Sequence, residues 1–120
     1  MSTDDKCCSI VPYFKIQDDK VDEFKALCEK FVEATKNEDK VLYYGFCFDG
    51  SEVHCREAYA DGDGVLAHLE NVGSLLEEAL KIAEITRFEM HGPEEELAKV
   101  RDALKDLNPK YMILEYGFRR

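Results

Sequence analysis

Two apolar runs, VLYYGFCF (41–48) and EVHCREAYA (52–60), flank the turn-prone DGS at 49–51, and this pair constrains the chain more than any other segment. Aromatic and β-branched residues on both sides of an Asp-Gly step predict a β-hairpin. With an even-length loop, even positions of the first strand share a face with odd positions of the second. One face then carries Leu42, Tyr44, Phe46, Phe48, Val53, Cys55, Glu57 and Tyr59. The other carries Val41, Tyr43, Gly45, Cys47, His54, Arg56 and Ala58. A three-residue loop would exchange the two sets. Either way both faces bear large side chains, whereas one layer of helices covers only one. The other face needs a partner, and a second copy of the chain is the simplest supplier.

The flanking segments say what the hairpin joins. CCSIVPYFKI (7–16) reads as a strand, with Pro12 pointing to an irregular or edge position. From Asp18, a candidate N-cap, Val21, Phe24, Leu27, Cys28, Phe31 and Val32 recur at helical spacing to about Lys36. A second helix begins near Asp63. Its stripe of Val65, Leu66, Leu69, Val72, Leu76 and Leu80 is widened by Leu75, Ala79 and Ile82 on the flank that carries His68. The apolar arc spans roughly 200°, more than packing on one sheet requires, so this helix touches its sheet and something more. ITRFEMH (85–91) is a further strand. Gly92-Pro93 opens a third helix with three glutamates in its first turn and a stripe of Leu97, Val100, Leu104 and Leu107, stopped by Asn108-Pro109. YMILEYGF (111–118) is the last strand.

The order β-α-β-β-α-β-α-β places the chain in the α+β class. Its first six elements follow the ferredoxin-like pattern of an antiparallel sheet with helices on one face. At 120 residues the chain reads as one domain, residues 1–120, with a core at about 8–91 and a helix–strand extension at 93–119. The net charge of −10 disfavours nucleic acid and anionic membrane surfaces as partners. No run approaches the about 18 apolar residues of a membrane span. MSTDDKCC lacks the basic and apolar regions of a signal peptide, so the expected location is cytoplasmic. Five cysteines, two of them adjacent and none in CxxC spacing, are expected as free thiols without zinc.

Three motifs invite and fail a ligand reading. Gly62-x-Gly64-x-x-Ala67 follows a strand and opens a helix, but Asp61 and Asp63 would repel a pyrophosphate and the topology is not parallel βαβ. The glycines read instead as turn-formers at a helix start. As a calcium loop the same stretch puts Val65 at the third ligand position and no glutamate at the twelfth. His54, Cys55 and His91 have no metal-ligand spacing, so no metal is expected.

Glu57 is different, because a carboxylate among aromatics must be paired, hydrogen-bonded or protonated. It is either tied to a helix end or an arginine, or it is chemical. His68 is either satisfied by a backbone carbonyl or free to move a proton near neutral pH. Both groups face the joint between sheet and helix, with Tyr59 beside them.

CREAYADGDGVLAHLEN (55–71) resembles the signature of antibiotic-biosynthesis-monooxygenase-type domains: a strand ending in Glu-x-aromatic, an acidic turn, then a helix with Ala-His. The element order over roughly residues 8–91 matches as well. The resemblance implies a dimeric α+β barrel in which two ferredoxin-like sheets face each other, hence a homodimer. It implies a pocket between helices and sheet for a hydrophobic or aromatic small molecule, with His68 as base and Glu57 as orienter or second proton acceptor. Tyr59, Tyr44 and Phe46 would form the binding wall. It also implies oxidation of a phenol or quinol without metal, flavin or other cofactor. Haem-degrading relatives depend on a tryptophan, and this chain has none. The alternative is a non-catalytic homodimer of the same fold that binds a small molecule or serves as a scaffold.

Overall fold

The computed structural model describes residues 3–120. The chain runs through β1 (Cys8–Ile16), α1 (Val21–Thr35), β2 (Val41–Asp49), β3 (Glu52–Tyr59), α2 (Gly62–Ala79), β4 (Ala83–Gly92), α3 (Glu94–Ala98) and β5 (Lys110–Ile113). The strands form one sheet in the order β2-β3-β1-β4-β5. The first four pair antiparallel, which is the ferredoxin-like arrangement expected from the sequence. β5 then joins the β4 edge in parallel, so the sheet is mixed. The long connection through α3 permits this, since a parallel neighbour needs a crossover and not a tight turn.

The hairpin closes over Gly50 and Ser51, with Asp49 opposite Glu52 and Gly50 at φ 61°. The even-length loop sets Tyr44 opposite Glu57, Phe46 opposite Cys55 and Phe48 opposite Val53, all facing the helices. One end departs from the expected partition. Val41 pairs with Tyr59 and Tyr43 with Ala58, leaving Leu42 as a bulged residue. Val41 therefore turns inward and Leu42 is 40% exposed. Pro12 sits not at an edge but in the central strand β1, next to a register shift between Tyr13 and Phe14. Its carbonyl accepts from His54 Nδ1 at 2.8 Å.

α1 starts at Val21 after Lys20, with no side-chain cap, so Asp18 does not cap it. α2 starts at Gly62, and its cap is Asp61, whose Oδ1 accepts from the Gly64 amide at 2.9 Å. Gly62 and Gly64 thus lie inside the helix, and close approach explains them better than a turn does. A Cβ on Gly62 would come within 2.4 Å of the Glu96 carbonyl oxygen, and one on Gly64 within 2.9 Å of Lys40 Cβ. The third helix is shorter than its stripe suggested, ending at Ala98. Residues 99–107 continue as successive turns, with Leu104 N–H bonded to the Val100 carbonyl and Asn108 N–H to that of Leu104. Those bonds keep the three- and four-residue spacing, so Leu97, Val100 and Leu104 are still buried.

The apolar interior is divided. One cluster centres on Phe14, Phe24, Phe31, Val53 and Val72, between the sheet and the pair α1–α2. The second joins Cys8, Ile10, Tyr59, Val65 and Met90 to Leu97, Val100 and Leu104 of the 93–108 segment. The wide apolar arc of α2 is used within the protomer: α1 packs on one flank and α3 on the other. The opposite face of the sheet carries no helix, and Tyr13, Tyr43 and Met112 are exposed there. No helix among the described residues is long and apolar enough to cross a membrane.

Candidate active site

β3 alternates, so Cys55, Glu57 and Tyr59 point together toward the helices, and β2 places Tyr44 and Phe46 beside them. α2, starting three residues after Tyr59, brings His68 back over the same strand after about two turns. All five side chains singled out in the sequence (Glu57, His68, Tyr59, Tyr44 and Phe46) therefore meet at the junction of the two apolar clusters. His54 and Cys55 cannot converge on a metal, because neighbours in a strand face opposite sides. Among the described residues no group of three or more His, Cys, Asp or Glu side chains is arranged to hold a metal ion.

Tyr59 donates its hydroxyl to Glu57 Oε1 at 2.7 Å, and His68 Nε2 lies 3.4 Å from the same oxygen. His68 Nδ1 is 2.9 Å from Glu38 Oε2. Asn71 Nδ2 donates to that oxygen at 2.8 Å and to the Ala34 carbonyl at 2.9 Å. The His68 ring lies between two tyrosines, with centroids 5.0 Å from Tyr59 and 5.2 Å from Tyr44. Glu57 and His68 are 4% and 3% exposed.

This geometry assigns the protons. Burial pushes the Glu57 carboxyl from its ordinary 4.5 up to about 7, against the hydrogen bonds from Tyr59 and Cys55, while the Glu38 charge adds to the rise. Burial also holds His68 below its ordinary 6.5, although Glu38 favours the charged ring. A neutral imidazole carries one proton, and the Glu38 carboxylate draws it to Nδ1. The lone pair on Nε2 then faces Glu57 Oε1, a contact between two acceptors unless the carboxyl holds a proton. Below about pH 7 it does. Burial raises Tyr44, Tyr59 and Cys55 as well, so none of them ionises near neutral pH.

The site opens onto a cavity of about 60 Å³. Residues from both clusters line it, from Phe14, Phe24 and Ala79 to Ile10, Phe88 and Leu107, with Glu57, His68, Tyr44 and Cys55 as its polar patch. No lysine or arginine is among its lining residues. The volume holds a few waters or a small fragment. A ligand filling the 300–1,000 Å³ usual for small-molecule sites enters only if the walls move.

Glu38 and Asn71 were not singled out in the sequence. Glu38 sits in the charged loop KNEDK, where nothing sets one acidic residue apart, and it meets His68 only through the fold. Asn71 carried a signal, because three residues past His68 is the same helix face.

Set against known proteins, the chain superposes on MupZ from Pseudomonas fluorescens with a TM-score of 0.93 and 43% sequence identity, over 100% of this chain and 94% of that one. The chain belongs to the MupZ family. MupZ and this chain share the fold of antibiotic-biosynthesis-monooxygenase-like proteins. One neighbour, from Nitrosomonas europaea and described as a "putative antibiotic biosynthesis monooxygenase", has a TM-score of 0.67 at 15% identity, over 78% of this chain and 96% of its own. Another so described, from Bacteroides thetaiotaomicron, has a TM-score of 0.61 at 18% identity, over 71% and 85%. No protein-family model and no curated protein matches the chain. The MupZ match covers 100% of this chain and so includes the segment after residue 93.

Proposed function

We propose that this MupZ-family chain is a general acid–base enzyme acting on an uncharged, largely apolar small molecule, in the form of a cofactor-independent monooxygenase of phenol- or quinol-type compounds. The observation that carries the reading is the pair itself: the Glu57 carboxyl and His68 Nε2, both buried, lie 3.4 Å apart, and burial pushes the carboxyl up to about 7 while holding the imidazole below its ordinary value. A titration point near neutral pH suits a group that must both give and take a proton. The cation-free lining supports an uncharged ligand, since a carboxylate or phosphate would be buried there without a counter-charge.

In this mechanism His68 Nε2 takes the phenolic proton, and the Glu38 carboxylate at Nδ1 stabilises the resulting imidazolium. The phenolate gives one electron to dioxygen, and the phenoxyl radical and superoxide join at a ring carbon that bears hydrogen. The resulting peroxide anion takes up the proton from His68, and loss of the ring hydrogen with cleavage of the O–O bond expels water and leaves a ring carbonyl, so one phenol and one dioxygen yield one quinone and one water. Glu57, held by the Tyr59 hydroxyl, orients the imidazole or accepts the second proton, while Tyr44 and Phe46 hold the ring. The functional unit we propose is a homodimer, supported by the exposed Tyr13, Tyr43 and Met112 on the bare sheet face.

Oxygen uptake with hydroxynaphthalenes and alkylphenols tests the chemistry. Uptake by wild type that disappears in His68→Asn is the expected result. Ligand binding without oxygen uptake, and without ring-hydrogen exchange in deuterated water, would replace it with the role of a non-catalytic homodimer that binds a small molecule.

A further inference from the structure

We infer that the 93–108 segment is the specificity wall of this cavity, and that Leu107 sets how long a ligand it admits; the inference rests on reading the cavity as a ligand site. The void lies between the two apolar clusters, and the far cluster exists because Leu97, Val100 and Leu104 complete it. Of the residues lining the cavity, Leu107 alone comes from this segment, on the side of the second cluster with Phe88, Leu69 and Ile10.

The wall is fixed to the helix that carries His68. Glu96 Oε1 accepts the Gly62 amide at 2.9 Å, and Lys99 Nζ reaches Glu96 at 3.0 Å and Asp63 at 3.5 Å. Its chain runs so close to the first turn of α2 that only glycine fits at 62. Asn108, at φ 48°, then turns the backbone away toward β5. The distance from His68 to the wall is thereby set by contacts in one packing unit. Leu97, Val100 and Leu104 are 0–1% exposed, but Leu107, at the end of the stripe, is only half-buried. It can change size without emptying the cluster. Leu107 is therefore placed to set the length of ligand that the cavity admits.

A series of 4-alkylphenols from ethyl to octyl tests this, titrated into wild type, Leu107→Ala and Leu107→Phe while the His68 imidazole signals are followed by NMR. In wild type affinity should climb about fourfold per methylene, the equivalent of transferring one CH₂ out of water, up to a cut-off length beyond which it falls. Leu107→Ala should move the cut-off to a longer chain and Leu107→Phe to a shorter one. If Leu107→Ala fails to fold, the shortening in Leu107→Phe carries the test. One cut-off shared by all folded proteins would overturn the role of Leu107 and leave the binding site standing. No compound moving the His68 signals in any of them would overturn both.

Discussion

Glu57 and Glu89 stand on opposite faces of one sheet, each within reach of a histidine, and their acidities move in opposite directions. Glu89 is gripped by Arg87 and His91, with Nε of Arg87 at 2.7 Å and Nε2 of His91 at 2.8 Å. Those two hydrogen bonds hold its carboxyl below the ordinary 4.5, and both donors reach into solvent. Glu57 has a tyrosine and a neutral imidazole for company, no cation, and almost no water, and it is raised to about 7. The same residue types make a settled ion pair with two partly exposed cations on one face, although Glu89 is itself only 8% exposed, and a carboxyl without a cation on the other. Desolvation without a compensating positive charge is the difference.

The largest expected contrast is catalytic. His68→Asn should lower turnover of any substrate found by roughly 10²–10⁴-fold, the usual share of a general base. His91→Asn should leave turnover unchanged. Equal losses in a kinetic assay would mean that the two faces do not differ in role.

Stability separates the faces next. Glu38→Ala leaves the His68 Nδ1–H without its acceptor and takes one of two acceptors from the Asn71 amide. It should cost about 1–3 kcal/mol in denaturant unfolding, the range for a buried donor left unpaired. Arg87→Ala, at a side chain 66% exposed, should move the midpoint far less.

The pH dependence carries opposite signs. Glu57 binds its proton more tightly folded than unfolded, so its contribution is fully present below about pH 4.5 and is lost as pH rises to about 7. Relative to Glu57→Gln, wild type should therefore lose stability across that window and hold a constant deficit above it. His68 runs the other way, its neutral form being favoured as pH rises through 6.5, which is why the comparison must be with the glutamine variant. Glu89 contributes stability above pH 4.5 that fades as pH falls through its lowered value, so Glu89→Gln should differ from wild type chiefly in becoming less acid-sensitive. Matching pH profiles for the two glutamine variants would erase the distinction.

The smallest effect is a labelling rate. Cys47 and Cys55 lie on the two strands of one hairpin but on opposite faces, Cys47 exposed and Cys55 buried with its thiol raised by burial. Mass spectrometry of the native protein treated with a maleimide should find Cys47 modified well before Cys55. In the proposed homodimer a second copy covers the outer face, so labelling of Cys47 should speed up on dilution while that of Cys55 does not.

Much of this was legible before the fold. Spacing alone located the hairpin, its inward residues from Tyr44 to Phe48, the wide stripe of α2 and the conjunction of Glu57 with His68. Those features depend on periods of 2 and 3.6, which local backbone geometry imposes. Other features were not readable. The bulge that turns Val41 in and Leu42 out arises from a register that two strands settle between them. The direction of β5 depends on where the crossover lands, and α3 loosens after Ala98 although its apolar stripe continues.

For function, sequence by itself put a carboxylate and an imidazole at the joint between sheet and helix on condition of an even-length hairpin loop, because strand alternation and helix pitch then turn both to one side; the fold supplies that loop. Only the tertiary structure decided which proton each holds. That depended on Glu38 reaching His68 from thirty residues away, on Tyr59 bonding Glu57, and on the absence of a cation from the cavity lining among the described residues. Burial and distant partners set an acidity, and neither is a property of the residues within a local window.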